Sequence, residues 1–285
     1  MRTPLKTTLA MAAVAALALV GCSPAQTEDS DEGGENGGAG SITVGIKYDQ
    51  PGLGFREGNN DPTGFDVDVA KAVLSEMGYE ESDIEWAEAE TPQRENLLEN
   101  GQVDMIFATY SITDERAERV DFAGPYFVAG QDILVRADDT EINGPDDLNG
   151  RNLCSVTGST PAQNVQERYA DDVNLVEQNG YAECLTYLQS GQVDAVTTDD
   201  IILAGLAATD EYAGEFKVVG NPFTEELYGV GLPPESTEVC EEVNAAIQTL
   251  FDNGTINDLL AANTEGVEYE ANEELNTDIE LQSCS

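Results

Sequence analysis

Apolar and other positions alternate in "SITVGIKYD" (41–49), where Ile42, Val44 and Ile46 fall on one side, the two-residue period of a strand. In "GFDVDVAKAVLSEMG" (64–78) the spacing changes to four. Val69, Val73 and Met77 share a face and Gly78 follows, which predicts a helix with a glycine terminator. "TPQRENLLENG" (91–101) predicts another helix, opened by Pro92 and stopped at Asn100-Gly101. The apolar run "VDMIFATY" (103–110) then predicts a buried strand. Strands alternating with helices imply an α/β fold with mostly parallel sheets.

The pattern repeats. "LLENGQVDMIFATYS" (97–111) returns as "YLQSGQVDAVTTDDI" (187–201), each copy a helix end, a glycine break and a strand. A glycine at a helix C-terminus has a local backbone reason, so one copy is an ordinary connection. Two copies in one chain fit two similar α/β lobes. Ligands of open α/β sheets bind beyond the carboxyl ends of the strands. Polar residues follow both strands here: Thr109 and Ser111 in the first copy, Thr197, Thr198, Asp199 and Asp200 in the second. In "NLCSVTGSTPAQNVQERY" (152–169) a strand runs into a helix whose expected N-cap is Thr160 and first helical residue Pro161. Free amides at such an end attract anions, although any capped helix has the same feature.

The N-terminus changes the picture of where the chain works. Residues 1–21 carry Arg2 and Lys6, an apolar run from Thr7 to Val20, and small residues before a break, the pattern of a secretory signal. The run is shorter than the roughly 20 apolar residues of a membrane span. "LVGC" (19–22) resembles the bacterial lipobox, which implies cleavage before Cys22 and lipidation of its thiol. Residues 22–40 then form a lipidated, flexible tether, since 23–40 hold no apolar residue larger than Ala or Pro.

Charge and composition exclude several functions. The chain has 56 acidic and 12 basic side chains and no His. Loss of residues 1–21 removes two of the cations and takes the formal charge from −44 to −46. No basic patch exists for nucleic acid, and a solvated acidic surface favours a soluble monomer. Without His the commonest general base and metal ligand is missing; no CxxC spacing occurs, so neither metal nor cofactor is expected. Cys154, Cys184, Cys240 and Cys284 form an even set in an exported chain, which favours disulfides and leaves three pairings open.

The lipobox, "GFDVDVAKAV", "SITDER", "FAGPYF", "TGST" and "GQVDAVTTDD" occur in the order found in extracellular solute-binding proteins of family 3, the amino-acid receptors of ABC importers. The resemblance covers about 41–265, and "IKYDQPGLG", "QRENLLENGQVDMI" and "CSVTGSTPAQ" look closest to actinobacterial glutamate-binding lipoproteins. It implies a two-lobed periplasmic-binding-protein-like fold (type II), two α/β lobes joined by two crossing strands. Lobe 1 would span 41–132 and return over 228–265, lobe 2 would span 133–227, and 266–285 would be an acidic tail. The crossings resemble "QDILVRADD" (131–139) and "NPFTEELYGVGL" (221–232). No catalytic domain or membrane helix is expected after residue 265.

By the same resemblance, Arg116 grips a ligand α-carboxylate, helped by Ser111 and by amides around Ser159 and Thr160, and Asp199 holds the α-ammonium. A guanidinium fork suits a planar carboxylate. The isolated sequence equally permits an ion pair of Arg116 with Asp114 or Glu118. Thr109 joins the set as the polar residue beyond its strand. Lys47 and Arg94 match the places that contact the ligand's side chain, which implies an acidic ligand; their alternative is pairing with acids such as Asp49 and Glu95. A clamp that must open favours Cys154–Cys184 and Cys240–Cys284. The expected function is an extracytoplasmic, lipid-anchored receptor for L-glutamate, with L-aspartate weaker, handing its ligand to the permease and ATPase of an ABC importer. Glutamine or a wider range of polar amino acids is the alternative; a family-related enzyme is the remote one.

Overall fold

A computed structural model describes residues 40–169 and 172–284. The expected signal sequence, Cys22 and nearly all of the tether lie outside the described residues. The alternation at 41–49 forms the strand Ile42–Ile46, flanked in parallel by Ile84–Glu88 and Met105–Ile106. Glu226–Leu232 and Asp121–Ala129 complete this first sheet, in the order 84–88, 42–46, 105–106, 226–232, 121–129. A second five-stranded sheet runs Phe216–Val218, Gln131–Arg136, Ala195–Asp199, Asn152–Val156, Asn174–Gln178.

The chain passes between the sheets twice, at Gly130 and between Val218 and Glu226. The two passages lie against each other: a Cβ on Gly130 would sit 2.6 Å from the Pro222 side chain, so only glycine fits there. Strands entering from the other sheet run against their neighbours. The sheets are therefore mixed, with Glu226–Leu232 antiparallel to both of its neighbours and Gln131–Arg136 antiparallel to both of its own. The expectation of mostly parallel sheets holds for the βα units and fails at these crossing strands.

The helix expected at 64–78 spans Phe65–Glu76, buries Val69 and Val73, and ends before Gly78 at φ 90°. Pro92 opens a short 3-10 turn, Thr91–Gln93, ahead of the helix Arg94–Glu99, and Gly101 follows at φ 61°. Gly191 after the helix Tyr181–Ser190 has φ 73°, so both copies of the repeat end a helix with a left-handed glycine. The buried run 103–110 pairs as a strand only over Met105–Ile106, and the backbone turns at Thr109, with φ 46°. The helix after Asn152–Val156 starts one residue early, with Ser159 as N-cap and Thr160 inside, since the Thr160 hydroxyl donates to Glu226 instead of capping.

Two disulfides fix the periphery. Cys154–Cys184 ties the helix Tyr181–Ser190 to its sheet, and Cys240–Cys284 ties the C-terminal segment to the helix Thr237–Asp252. That segment is more than an acidic tail. Asn276 brackets the backbone of Val128, donating to its carbonyl and accepting from its amide, both at 2.9 Å, and the Gln282 amide donates to Gly124 at 2.7 Å. It thereby covers the outer edge of Asp121–Ala129, a strand edge that would otherwise offer pairing groups to another chain.

Replacing Cys240 and Cys284 together by Ser should speed amide exchange at Val128 and across 273–284 while both sheets stay protected. Replacing Cys154 and Cys184 should lower the unfolding free energy by about 3 kcal/mol, from the loop each bridge closes. Unchanged exchange at Val128 in the first variant would show that the bridge does not hold the segment down.

Candidate functional site

The carboxyl ends of the inner strands from both sheets converge. Seven of the eight residues proposed from sequence line one small cavity there, about 20 Å³: Arg94, Thr109, Ser111, Arg116, Ser159, Thr160 and Asp199. Lys47 does not line it. Its ammonium pairs with Asp49 at 3.0 Å in a buried position, and burial lowers its pKa first, against the raising effect of Asp49. Thr198, already marked as a polar strand-end residue, and Pro161, the expected first helical residue, join the lining, as do Gln50, Thr91, Tyr181 and Ile202, which were missed.

Arg116 reaches the site from the short helix Asp114–Ala117, whose N-cap Thr113 accepts the Arg116 amide. Its guanidinium donates to the Ser111 carbonyl at 2.6 Å and to the Gly158 carbonyl at 3.2 Å, joining residues on the first sheet's side to the second. Its acidic neighbour is Glu95, 3.7 Å away, rather than Asp114 or Glu118. Glu95 also accepts from the Tyr110 hydroxyl at 2.7 Å.

Arg94 is 3% exposed. Among the described residues no carboxylate comes within ion-pair distance of it; its Nε points at the Ala89 carbonyl, 3.5 Å away, and its guanidinium lies 5.0 Å from the Tyr110 ring centre. The Arg116 guanidinium lies at the same distance from that ring. Burial, and next the Arg116 charge, push the pKa of Arg94 down. A guanidinium nevertheless stays protonated, so the effect is a buried positive charge without a negative partner.

From the second sheet comes Asp199, 3% exposed at the end of Ala195–Asp199. Its Oδ2 accepts from Tyr228 at 2.5 Å, and its Oδ1 is buried with no hydrogen-bond partner among the described residues. Burial and then the Glu226 carboxylate raise its pKa well above the usual range. Glu226 accepts from Thr160 at 2.7 Å and from Asn164 and Thr224 at 3.1 Å each. Ser159 is turned inward: its amide donates to Val156 and its hydroxyl lies 3.2 Å from that of Ser155.

Thr109 owes its place to Asp66, which is fully buried in the helix Phe65–Glu76. Asp66 accepts from the Thr109 amide and the Tyr126 hydroxyl, both at 2.8 Å, and burial lifts its pKa to about 6 against those bonds. A β-branched residue at φ 46° is costly, and this carboxylate holds it there. The sequence signal was an acid close to the helix's apolar face.

A larger cleft, about 640 Å³, opens beside the crossing segments. Its lining bears three acids, Asp200, Glu225 and Glu226, against one cation, Arg168, and resembles solvated surface more than a site for an anion. Among the described residues no cluster of His, Cys, Asp and Glu could hold a metal, and no helix is long and apolar enough to cross a membrane.

The chain is similar to known proteins. The glutamate-binding protein GluB of Corynebacterium glutamicum is 47% identical over 234 residues, 79% of this chain and 78% of that protein. The glutamine-binding protein of Geobacillus stearothermophilus is 38% identical, over 72% of this chain and 77% of that one. A solved ancestral arginine-binding protein bound to glutamine superposes with a TM-score of 0.71 at 31% identity, over 78% of this chain and 97% of its own. Structural likeness of this kind carries the two-lobed, type II binding fold. The family model for bacterial extracellular solute-binding proteins, family 3, matches residues 42–264, and the chain belongs to that family.

Proposed function

We propose that this chain is a receptor for L-glutamate that hands its ligand to an ABC importer, held at the extracytoplasmic face of the membrane by a lipid on Cys22. The observation that carries the ligand assignment is Arg94, a buried guanidinium with no carboxylate in reach among the described residues. Three groups on one cavity then match the three charges of glutamate. Arg116 takes the α-carboxylate, with Ser111 and the backbone around Thr160; the unpartnered Oδ1 of Asp199 takes the ammonium; Arg94 takes the γ-carboxylate. Thr109 lies beside them, and Ser159 braces its turn. Lys47, neutralised by Asp49, adds less than a direct contact would.

The lobes supply the mechanism. With Arg116 and Arg94 carried on the side of the first sheet and Thr160 and Asp199 on the second, a ligand touching both sides binds the closed arrangement better and shifts the population toward it. Similarity to the GluB protein named for glutamate supports this ligand, and similarity to a glutamine-binding protein supplies the rival. Glutamine offers Arg94 one neutral oxygen. Aspartate carries the right charges on a shorter chain.

Calorimetry of the unmodified protein should rank glutamate above aspartate and glutamine. Arg94→Ala should weaken glutamate by about a hundredfold or more, the scale of a broken buried charge pair, and glutamine by less than about tenfold. Equal losses for both ligands, or a preference of the unmodified protein for glutamine, would overturn the assignment.

A pH dependence follows from Asp199. Its pKa is raised in the closed site, whereas a bound ammonium favours the charged form, so the complex holds fewer protons there than the ligand-free closed site. Glutamate affinity should therefore fall as the pH is lowered from about 7 to about 5. Asp199→Asn should bind weakly at both values with this dependence reduced; the same slope in the variant would assign the titration to another group.

A further inference from the structure

Between the first strand and the helix Phe65–Glu76 lies a tight hairpin whose turn runs Gln50-Pro51-Gly52-Leu53. The Leu53 amide closes it onto the Gln50 carbonyl at 3.1 Å, with Gly52 at φ 81° after Pro51, the requirements of a type II turn. The turn is fixed to its own lobe. The carbonyls of Gly52 and Leu53 accept the amides of Phe65 and Asp66 at 2.9 and 3.0 Å, replacing the side-chain cap that this helix lacks. Gln50 hydrogen-bonds Thr109 at 3.1 Å and lines the ligand cavity.

The outer side of the same turn touches the other lobe at two places, and each place is a glycine. Asp49 Oδ2 lies 3.4 Å from the Tyr181 amide at the start of the helix Tyr181–Ser190, whose N-cap is Gly180 and which has no cap of its own from a side chain. A Cβ on Gly180 would stand 2.9 Å from that carboxylate oxygen. The Pro51 carbonyl meets the helix Asp200–Ala207 at Gly205, where an added Cβ would overlap the carbonyl oxygen. Gly205 is in a helix interior, where alanine is ordinarily the better residue. Its backbone is helical, so no left-handed conformation calls for glycine. The approach of Pro51 does.

We propose that the Asp49–Gly52 turn is a closure tongue, and that Gly180 and Gly205 form its seat on the second lobe. They act as positioning residues for ligand capture, although neither lines the cavity. Lys47 belongs to the same device: it neutralises Asp49 as that carboxylate leaves water to meet the second lobe's helix. The proposal rests on the reading that the lobes close around an amino acid.

The seat predicts an unusual pair of effects. Gly205→Ala improves the local helix and obstructs the closed arrangement, because the obstacle is backbone fixed at both ends. Gly180→Ala meets only the ends of the Asp49 and Glu183 side chains, which can rotate away, so its effect is smaller. The unmodified protein is first titrated with glutamate, glutamine and arginine, which tests the ligand assignment separately, and the variants are read with whichever amino acid binds. Gly205→Ala should lose about tenfold or more in affinity, through faster dissociation, with the ligand-free melting temperature unchanged or higher. Small-angle scattering at saturating ligand should give a larger radius of gyration for this variant than for the unmodified protein. Unaltered affinity and radius would overturn the tongue and leave the ligand assignment standing. A lowered ligand-free melting temperature would also overturn it, since Gly205 would then serve the fold of its own lobe.

Discussion

A guanidinium taken out of water costs several kcal/mol unless a negative partner compensates it, and the arrangement around Arg94 withholds that partner. The face of Tyr110 gives back part of the cost, of order 1 kcal/mol for such contacts. Glu95, the nearby acid, is engaged by the Tyr110 hydroxyl and Arg116. On the proposed reading, a ligand carboxylate entering the cavity meets the remaining deficit, beyond the weaker pull of Glu95.

Asp199 is the acidic counterpart in the same cavity. Asp199 sits among carboxylates, with Glu226 and Asp200 nearby and one oxygen unpartnered. Two guanidiniums and an under-satisfied acid line one cavity, which suits an amino acid carrying an extra negative charge. The outer surface works against capture of such a ligand, because the whole chain carries a formal charge of −44. Local positive potential must outweigh that field, and salt screens the long-range part more than the buried part. Fold and site are linked through Asp66, which uses a buried carboxylate to hold Thr109 in a conformation its side chain disfavours.

Much of this was legible in the chain because it rests on local pattern. The period-two run at 42–46, the stripe at Val69 and Val73 and the repeated GQVD define elements whose ends carry Thr109, Ser111 and Asp199 into the cavity. Less local features were hidden. Pairing direction at the crossing strands depends on which sheet a strand joins, and no window of residues encodes that. Lys47 and Arg94 both had a nearby acid as alternative partner, and only side-chain geometry shows that Lys47 takes Asp49 while Arg94 faces the cavity. Tyr181, Thr198 and Gln50 read as ordinary polar or aromatic positions until the two sheets bring them together. The C-terminal segment read as an acidic tail, because its anchors besides Cys284, Asn276 on Val128 and Gln282 on Gly124, are hydrogen bonds to backbone far away in sequence.

The central claim is that Arg94 and Asp199 are complementary groups of one site for an acidic amino acid. A crystal structure of the protein grown with L-glutamate tests it most directly. The account predicts the γ-carboxylate hydrogen-bonded to the Arg94 guanidinium and the ammonium on Asp199 Oδ1, with the α-carboxylate on Arg116. A γ-carboxylate directed away from Arg94, with the guanidinium still facing Tyr110 and Ala89 alone, would contradict it.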